Sequence, residues 1–158
     1  MEGHIFIAIL EDDERRQGGM ARLLAASFPE YDTVFFDNAP DMLVWLAEHL
    51  TDVSLVCLDH DLGPSRIREC ERFEPGTGRD VANFLAGTKA CCPVVIHTTN
   101  YIAAPGMVLA LESGGWSVDR VVPFNDLEWL EEVWIPTVTT KIKQGPYPPS
   151  TGTASMPT

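Results

Sequence analysis

Residues 53–63 read VSLVCLDHDLG, and this stretch decides the fold. A short apolar run bounded by polar residues is the signature of a buried strand. This one stops abruptly in Asp59-His60-Asp61-Leu62-Gly63. The same form occurs before and after it. HIFIAIL (His4 to Leu10) runs into Glu11-Asp12-Asp13-Glu14, and Pro93 to Ile96 runs into His97-Thr98-Thr99-Asn100. Asp32 to Phe36 and Val118 to Val122 are two further short strands.

Helical patterns lie between the strands. From Arg15 to Phe28, the residues Met20, Leu23, Leu24 and Phe28 fall at helical spacing; Gly18 and Gly19 weaken the start and Pro29 follows the end. Asn38 is an N-cap with Pro40 in the first turn, and Met42, Leu43, Trp45, Leu46 and Leu50 form the buried face that follows. Arg79 to Leu85 starts a third helix with Val81, Phe84 and Leu85 inward. Pro105 to Leu111 is a fourth, stopped by Gly114-Gly115. Asn125 with Glu128 is a capping-box-like start for the last helix, with Leu127, Leu130, Val133 and Trp134 inward and Pro136 kinking or ending it. Pro64 to Gly78 is a long polar segment, a length that marks a functional loop in a compact domain.

Strand–helix alternation five times over predicts an α/β fold with a doubly wound parallel sheet and helices on both faces. Right-handed crossovers leave few topologies, among them the flavodoxin-like order 2-1-3-4-5. The 158 residues suit a single domain over 1–144, with 145–158, which hold four prolines and no charge, as a tail.

Composition narrows the function classes. With 45% apolar and 22% charged residues, disorder throughout is excluded. No apolar run nears the ~18 residues of a membrane span. Eleven basic against 23 acidic residues give a net charge of −12, which disfavours anionic membranes and non-specific duplex DNA. Cys57, Cys70, Cys91 and Cys92 lack zinc-knuckle spacing, and the adjacent pair is poorly placed for a disulfide. Met1-Glu2-Gly3-His4 has no basic signal region, so reduced thiols in a cytoplasm are expected.

In such sheets ligands bind beyond the carboxyl ends of the strands, near the switch point between the first and third. The order 2-1-3-4-5 brings Asp12-Asp13, Asp59-His60-Asp61 and His97-Thr98-Thr99-Asn100 to one pocket. Carboxylates gathered this way need a proton or a cation among them. Asp12, Asp13 and Asp59 are the expected ligands of Mg²⁺ or Mn²⁺; a solvated acidic rim is the alternative. Arg66, Arg68, Arg72 and Arg79 lie in or beside the long polar segment, where guanidinium forks suit a phosphate. Pairing with Glu69, Glu71 and Glu74 would spend the same charges.

Here the sequence resembles a response-regulator receiver domain over about residues 4–135. ILEDDE (Ile9 to Glu14) is similar to the receiver's acidic pair, and VSLVCLD (Val53 to Asp59) to the strand carrying the phosphoacceptor aspartate. PVVIHT (Pro93 to Thr98) and VVPF (Val121 to Phe124) are similar to the last two strand ends. Two departures stand out. Val122 occupies the place where receivers carry a phosphoryl-binding lysine, and LDHDLG and HTTN are not receiver signatures. Together with LEDD, those two motifs are similar to the cyclic-phosphate processing receiver domains. That resemblance implies action on cyclic nucleotides or RNA cyclic-phosphate ends.

Opening a cyclic phosphodiester needs an activated water, neutralised phosphoryl oxygens and a proton for the leaving oxygen. His97 and His60 suit the proton work, with His97 favoured. Strand alternation turns His60 away if Asp59 points in, and returns Asp61. Thr98 and Asn100 are expected to bond phosphate oxygens. His4 and His49 are read as structural. Trp129, Trp134 and Phe124 belong to the core or to a dimer face; receivers often form homodimers through this end of the fold.

Two other readings compete. One is a non-catalytic receiver-like binding module, with Asp59 as phosphoacceptor. The other takes Asp59-His60-Asp61 as the DxD of a haloacid-dehalogenase-type phosphatase. That family needs DxD on its first strand with a later lysine and acidic pair, and this chain has neither in place.

Overall fold

The computed structural model describes residues 5–144. Five strands form one parallel sheet: β1 (Phe6–Leu10), β2 (Asp32–Phe36), β3 (Val53–Leu58), β6 (Val94–His97) and β7 (Val118–Val121). Their order is β2-β1-β3-β6-β7, which is the expected 2-1-3-4-5 once the two strands of a separate hairpin are set aside. The expected tail, 145–158, lies outside the described residues.

The central strands are apolar on both faces because both faces are covered. Ala8, Leu10, Val56, Leu58, Val94 and Ile96 face one core, shared with α2 (Ala39–His49), α3 (Gly78–Ala86) and α4 (Ala103–Ser113). Ile7, Ile9, Leu55, Cys57 and Val95 face the other. That second core is closed by α1 (Glu14–Ser27) and by the C-terminal helical segment carrying Trp129, Leu130, Trp134 and Val138.

The caps follow from local chemistry. Asp13 accepts from the backbone N–H groups of Arg15 and Arg16, and Asn38 from that of Asp41. Thr77 and Asp80 form a reciprocal capping box at α3. Trp129 and Trp134 are fully buried and so belong to the core, whereas Phe124 is partly exposed.

Two expectations are corrected. The segment from Pro64 to Gly78 is not an unstructured loop: β4 (Arg66–Arg68) and β5 (Glu71–Phe73) pair as an antiparallel hairpin. Pro136 does not end the last helix. A π-helical turn over Leu130–Trp134 runs without a break into α5 (Ile135–Lys143), and the Ile135 N–H reaches back five residues to the Leu130 carbonyl, so the irregular turn stands directly before Pro136. α1 starts at Glu14 on its Asp13 cap, with Gly18 and Gly19 inside it.

Candidate active site

The face alternation of the strands continues one step past their apolar rows. Ile9, Cys57 and Val95 lie side by side in the register of β1, β3 and β6. Two residues further along each strand stand Glu11, Asp59 and His97. All three are buried, and one ligand-type atom of each lies within 4.8 Å of the others.

Glu11 is held from several sides. His97 Nε2 is 3.1 Å from Glu11 Oε1, and the Asp13 backbone N–H donates to Glu11 Oε2 at 3.0 Å. Burial by itself pushes the Glu11 pKa up, but the His97 bond, the attraction to the imidazole, the Asp13 N–H and Arg16 together hold it below the ordinary glutamate value. Asp59 is different. Burial is the largest influence on it, and with Glu11 it outweighs His97, the His60 N–H and Arg16, raising the pKa to about 6. Its Oδ1 accepts from the His60 backbone N–H at 2.7 Å.

Arg16 comes from the first turn of α1. Its guanidinium lies 3.6 Å from Glu11 Oε1 and 3.8 Å from Asp59 Oδ2, over the Trp129 ring at 5.3 Å. Trp129 also stacks on His97, with ring centroids 5.9 Å apart. A positive charge therefore stands beside Asp59 although Val122 does not supply one.

A second group lies beside this row. His60 Nδ1 is 2.9 Å from Asp61 Oδ1, and Asn100 Nδ2 donates to both Asp61 oxygens at 3.3 and 3.4 Å. An ionised carboxylate only accepts, so this bond makes Nδ1 the donor and leaves the lone pair of the neutral ring on Nε2. Asn100 Oδ1 accepts from the N–H groups of Ile102 and Ala103 at the start of α4. Thr98 Oγ1 accepts from the Asn100 N–H, and the residue is almost fully buried. Both expected phosphate binders thus shape the turn out of β6.

Of the expected metal ligands, Asp59 alone joins the buried cluster. Asp13 is exposed and spends Oδ1 on capping α1. Asp12 is partly exposed, with its pKa raised by burial and then by the Glu11 charge. His97 has no exposed surface and faces Glu11, so it stands in the buried cluster and not against a substrate, where the proton work was expected of it. The expected arginine clamp is spent elsewhere. Arg66 binds Asp37 and Arg68 binds Asp41, both over the Phe73 ring, while Arg72 binds Glu74.

Two carboxylates and an imidazole at this spacing form a donor set that fits a divalent cation. The nitrogen favours Mn²⁺ or Zn²⁺ over Mg²⁺, which prefers oxygen alone. Sequence reasoning missed Glu11 and Arg16. For Glu11 a signal existed, since Ile7, Ile9 and Glu11 share one strand face. For Arg16 there was none, because its reach depends on how α1 docks.

Residues 7–113 match the family described as cyclic-phosphate processing receiver domain. The chain belongs to that family. No curated protein matches it. Among solved structures, the phosphorylated cyanobacterial phytochrome response regulator RcpA is 15% identical with a TM-score of 0.67, covering 90% of this chain and 97% of that one. A response regulator receiver domain from Rhodospirillum rubrum is 18% identical with a TM-score of 0.63 over the same shares. The Mn²⁺-bound form of the response regulator Rcp1 is 15% identical with a TM-score of 0.56, covering 84% of this chain and 96% of that one. At these identities the likeness concerns the fold, which is that of a response-regulator receiver domain. Among the described residues of this family member, no helix is long and apolar enough to cross a membrane.

Proposed function

We propose that this receiver domain hydrolyses cyclic phosphates, on a nucleotide or an RNA end, with help from a divalent cation. The observation that carries the reading is the buried row Glu11–Asp59–His97 with the His60–Asp61 pair beside it. The family's description, cyclic-phosphate processing, points the same way.

Glu11, Asp59 and His97 would hold the cation, which when bound neutralises phosphoryl oxygens and acidifies a water. His60 does the proton work. With Nδ1 donating to Asp61, its Nε2 takes a proton from the attacking water and returns it to the leaving ester oxygen. Asp61 fixes the tautomer, and Asn100 fixes Asp61. The partner is then a phosphate-bearing small molecule or a nucleic-acid end. A cytoplasmic setting belongs to the same proposal, and the four free cysteines fit it.

The test is product analysis of 2′,3′- and 3′,5′-cyclic nucleotides incubated with pure protein and Mg²⁺, Mn²⁺, Zn²⁺ or chelator. Metal-dependent ring opening is expected, falling about 10²-fold or more in Asp59→Asn and His60→Ala. No turnover with any nucleotide or metal would end this reading. The second reading, a signalling module phosphorylated on Asp59, would then stand; the Arg16 guanidinium 3.8 Å from that carboxylate favours it. Acetyl phosphate labelling lost in Asp59→Asn would establish it.

A further inference from the structure

We infer that Arg16 is the phosphoryl-binding side chain of this receiver domain. The inference rests on the phosphate-ester reading above for the identity of the ligand, and on the geometry of the site for the residue.

The first argument is which guanidinium donors are still available. Arg15 is hydrogen-bonded to Asp126, Arg66 to Asp37, Arg68 to Asp41, Arg72 to Glu74, Arg79 to Asn83 and Arg120 to the Thr98 carbonyl. Arg16 stands apart. Its two approaches to acids, 3.6 Å to Glu11 and 3.8 Å to Asp59, are ion-pair distances beyond hydrogen-bond range. Its charge is balanced, while among the described residues its guanidinium N–H groups make no hydrogen bond within that range. Among the described residues, it is the arginine or lysine paired with Glu11 or Asp59.

The second argument is pre-organisation. One face of the guanidinium lies over Trp129, a fully buried ring that cannot shift without disturbing the core. The side chain keeps 27% of its surface open. A planar fork held by its face and open at its edge matches two phosphoryl oxygens. An anion beside Glu11 and Asp59 meets repulsion from both, and Arg16 is the group placed to offset it. A purely structural role, neutralising two buried acids, would use the same contacts but would not bind phosphate.

Calorimetric titration with inorganic phosphate separates the two, run in chelator and again with Mg²⁺. Wild type, Arg16→Gln, Arg16→Lys and the exposed-surface control Arg22→Gln are compared after circular dichroism confirms folding. Phosphate binding weakened tenfold or more in Arg16→Gln, intermediate in Arg16→Lys and unchanged in Arg22→Gln is the expected result. Arg16→Lys keeps the charge, so it carries the test if Arg16→Gln does not fold. Equal affinity in wild type and the Arg16 variants overturns the inference, as does absence of phosphate binding by the wild type in both buffers. The fates of the two proposals are separable. Phosphate binding through Arg16 without turnover of any cyclic nucleotide ends the hydrolase reading alone. Turnover by Arg16→Gln at wild-type KM ends this inference alone.

Discussion

His97 Nε2 lies 3.1 Å from Glu11 Oε1, and neither side chain has exposed surface. The bond joins the ends of β1 and β6, which flank β3 on either side. Removing one partner of a buried pair strands the other without compensation, at about 3–5 kcal/mol. His97→Ala is therefore expected to lose stability on that scale in urea denaturation at neutral pH. Glu11→Gln, which keeps an acceptor, should lose less. A loss below about 1 kcal/mol in His97→Ala would show that the pair does not hold the strand ends together.

Asp59 makes a pH prediction with a definite sign. Its folded-state pKa of about 6 lies above the ordinary aspartate range, so the native state binds the proton more tightly than the unfolded chain. The neutral carboxyl costs nothing below about pH 4. As pH rises from about 4 to about 6, stability is lost, on the order of 2–3 kcal/mol, and the penalty stays constant above. Glu11 acts oppositely. Its depressed pKa supports stability above the ordinary glutamate range, and that support fades as pH falls through the folded value. Thermal melts of wild type and Asp59→Asn across pH 4–7 isolate the Asp59 contribution. The variant should gain on the wild type as pH rises through this window, and a flat difference would contradict the buried, raised carboxyl.

Two glycines should respond with opposite signs. A Cβ on Gly78 would sit 1.8 Å from the Asp59 carbonyl oxygen, which is backbone and cannot step aside. The Gly78 N–H also donates to the His60 carbonyl at 2.9 Å, so α3 starts in direct contact with the site strand. Gly78→Ala is expected to cost at least about 2 kcal/mol. Gly18, inside α1 with nothing near its missing Cβ, should gain about 0.5–1 kcal/mol on change to alanine. Chemical denaturation of both variants checks the pair; a tolerated Gly78→Ala would refute the close approach.

The β4–β5 turn stores strain. Glu69 and Cys70 link the strands with φ of 54° and 67°, the left-handed pair that a two-residue I′-type turn demands and that Asn-Gly supplies best. Glu69→Asn and Cys70→Gly should each stabilise the hairpin by about 1 kcal/mol. Slower amide exchange in Arg66–Phe73 is the readout, and unchanged exchange would argue against the I′ turn.

Much of the fold was legible because its signals are local. Apolar runs such as VSLVCL, the Asn38 cap and the Gly114-Gly115 stop act within a few residues, and crossover handedness then restricts strand order. The hairpin was not legible. Arg66-Ile67-Arg68 and Glu71-Arg72-Phe73 are largely exposed and carry no strand-like apolar run, and the turn residues are not the usual ones. Their pairing is aided by the Phe73 ring beneath two arginines and by Asp37 and Asp41 across the chain.

The site divides along the same line. The sequence by itself determined that acids and imidazoles end β1, β3 and β6, because period-two alternation and the switch-point rule depend on chain order alone. Only the tertiary structure decided which of them meet. Glu11 replaces Asp12 and Asp13 in the buried cluster because the lateral register of three strands aligns it with Asp59 and His97. Arg16 reaches the same point because α1 packs on that face, and Trp129 arrives from more than a hundred residues away to hold it. Contacts of that kind are fixed by how separate elements dock, and no local pattern in the chain encodes them.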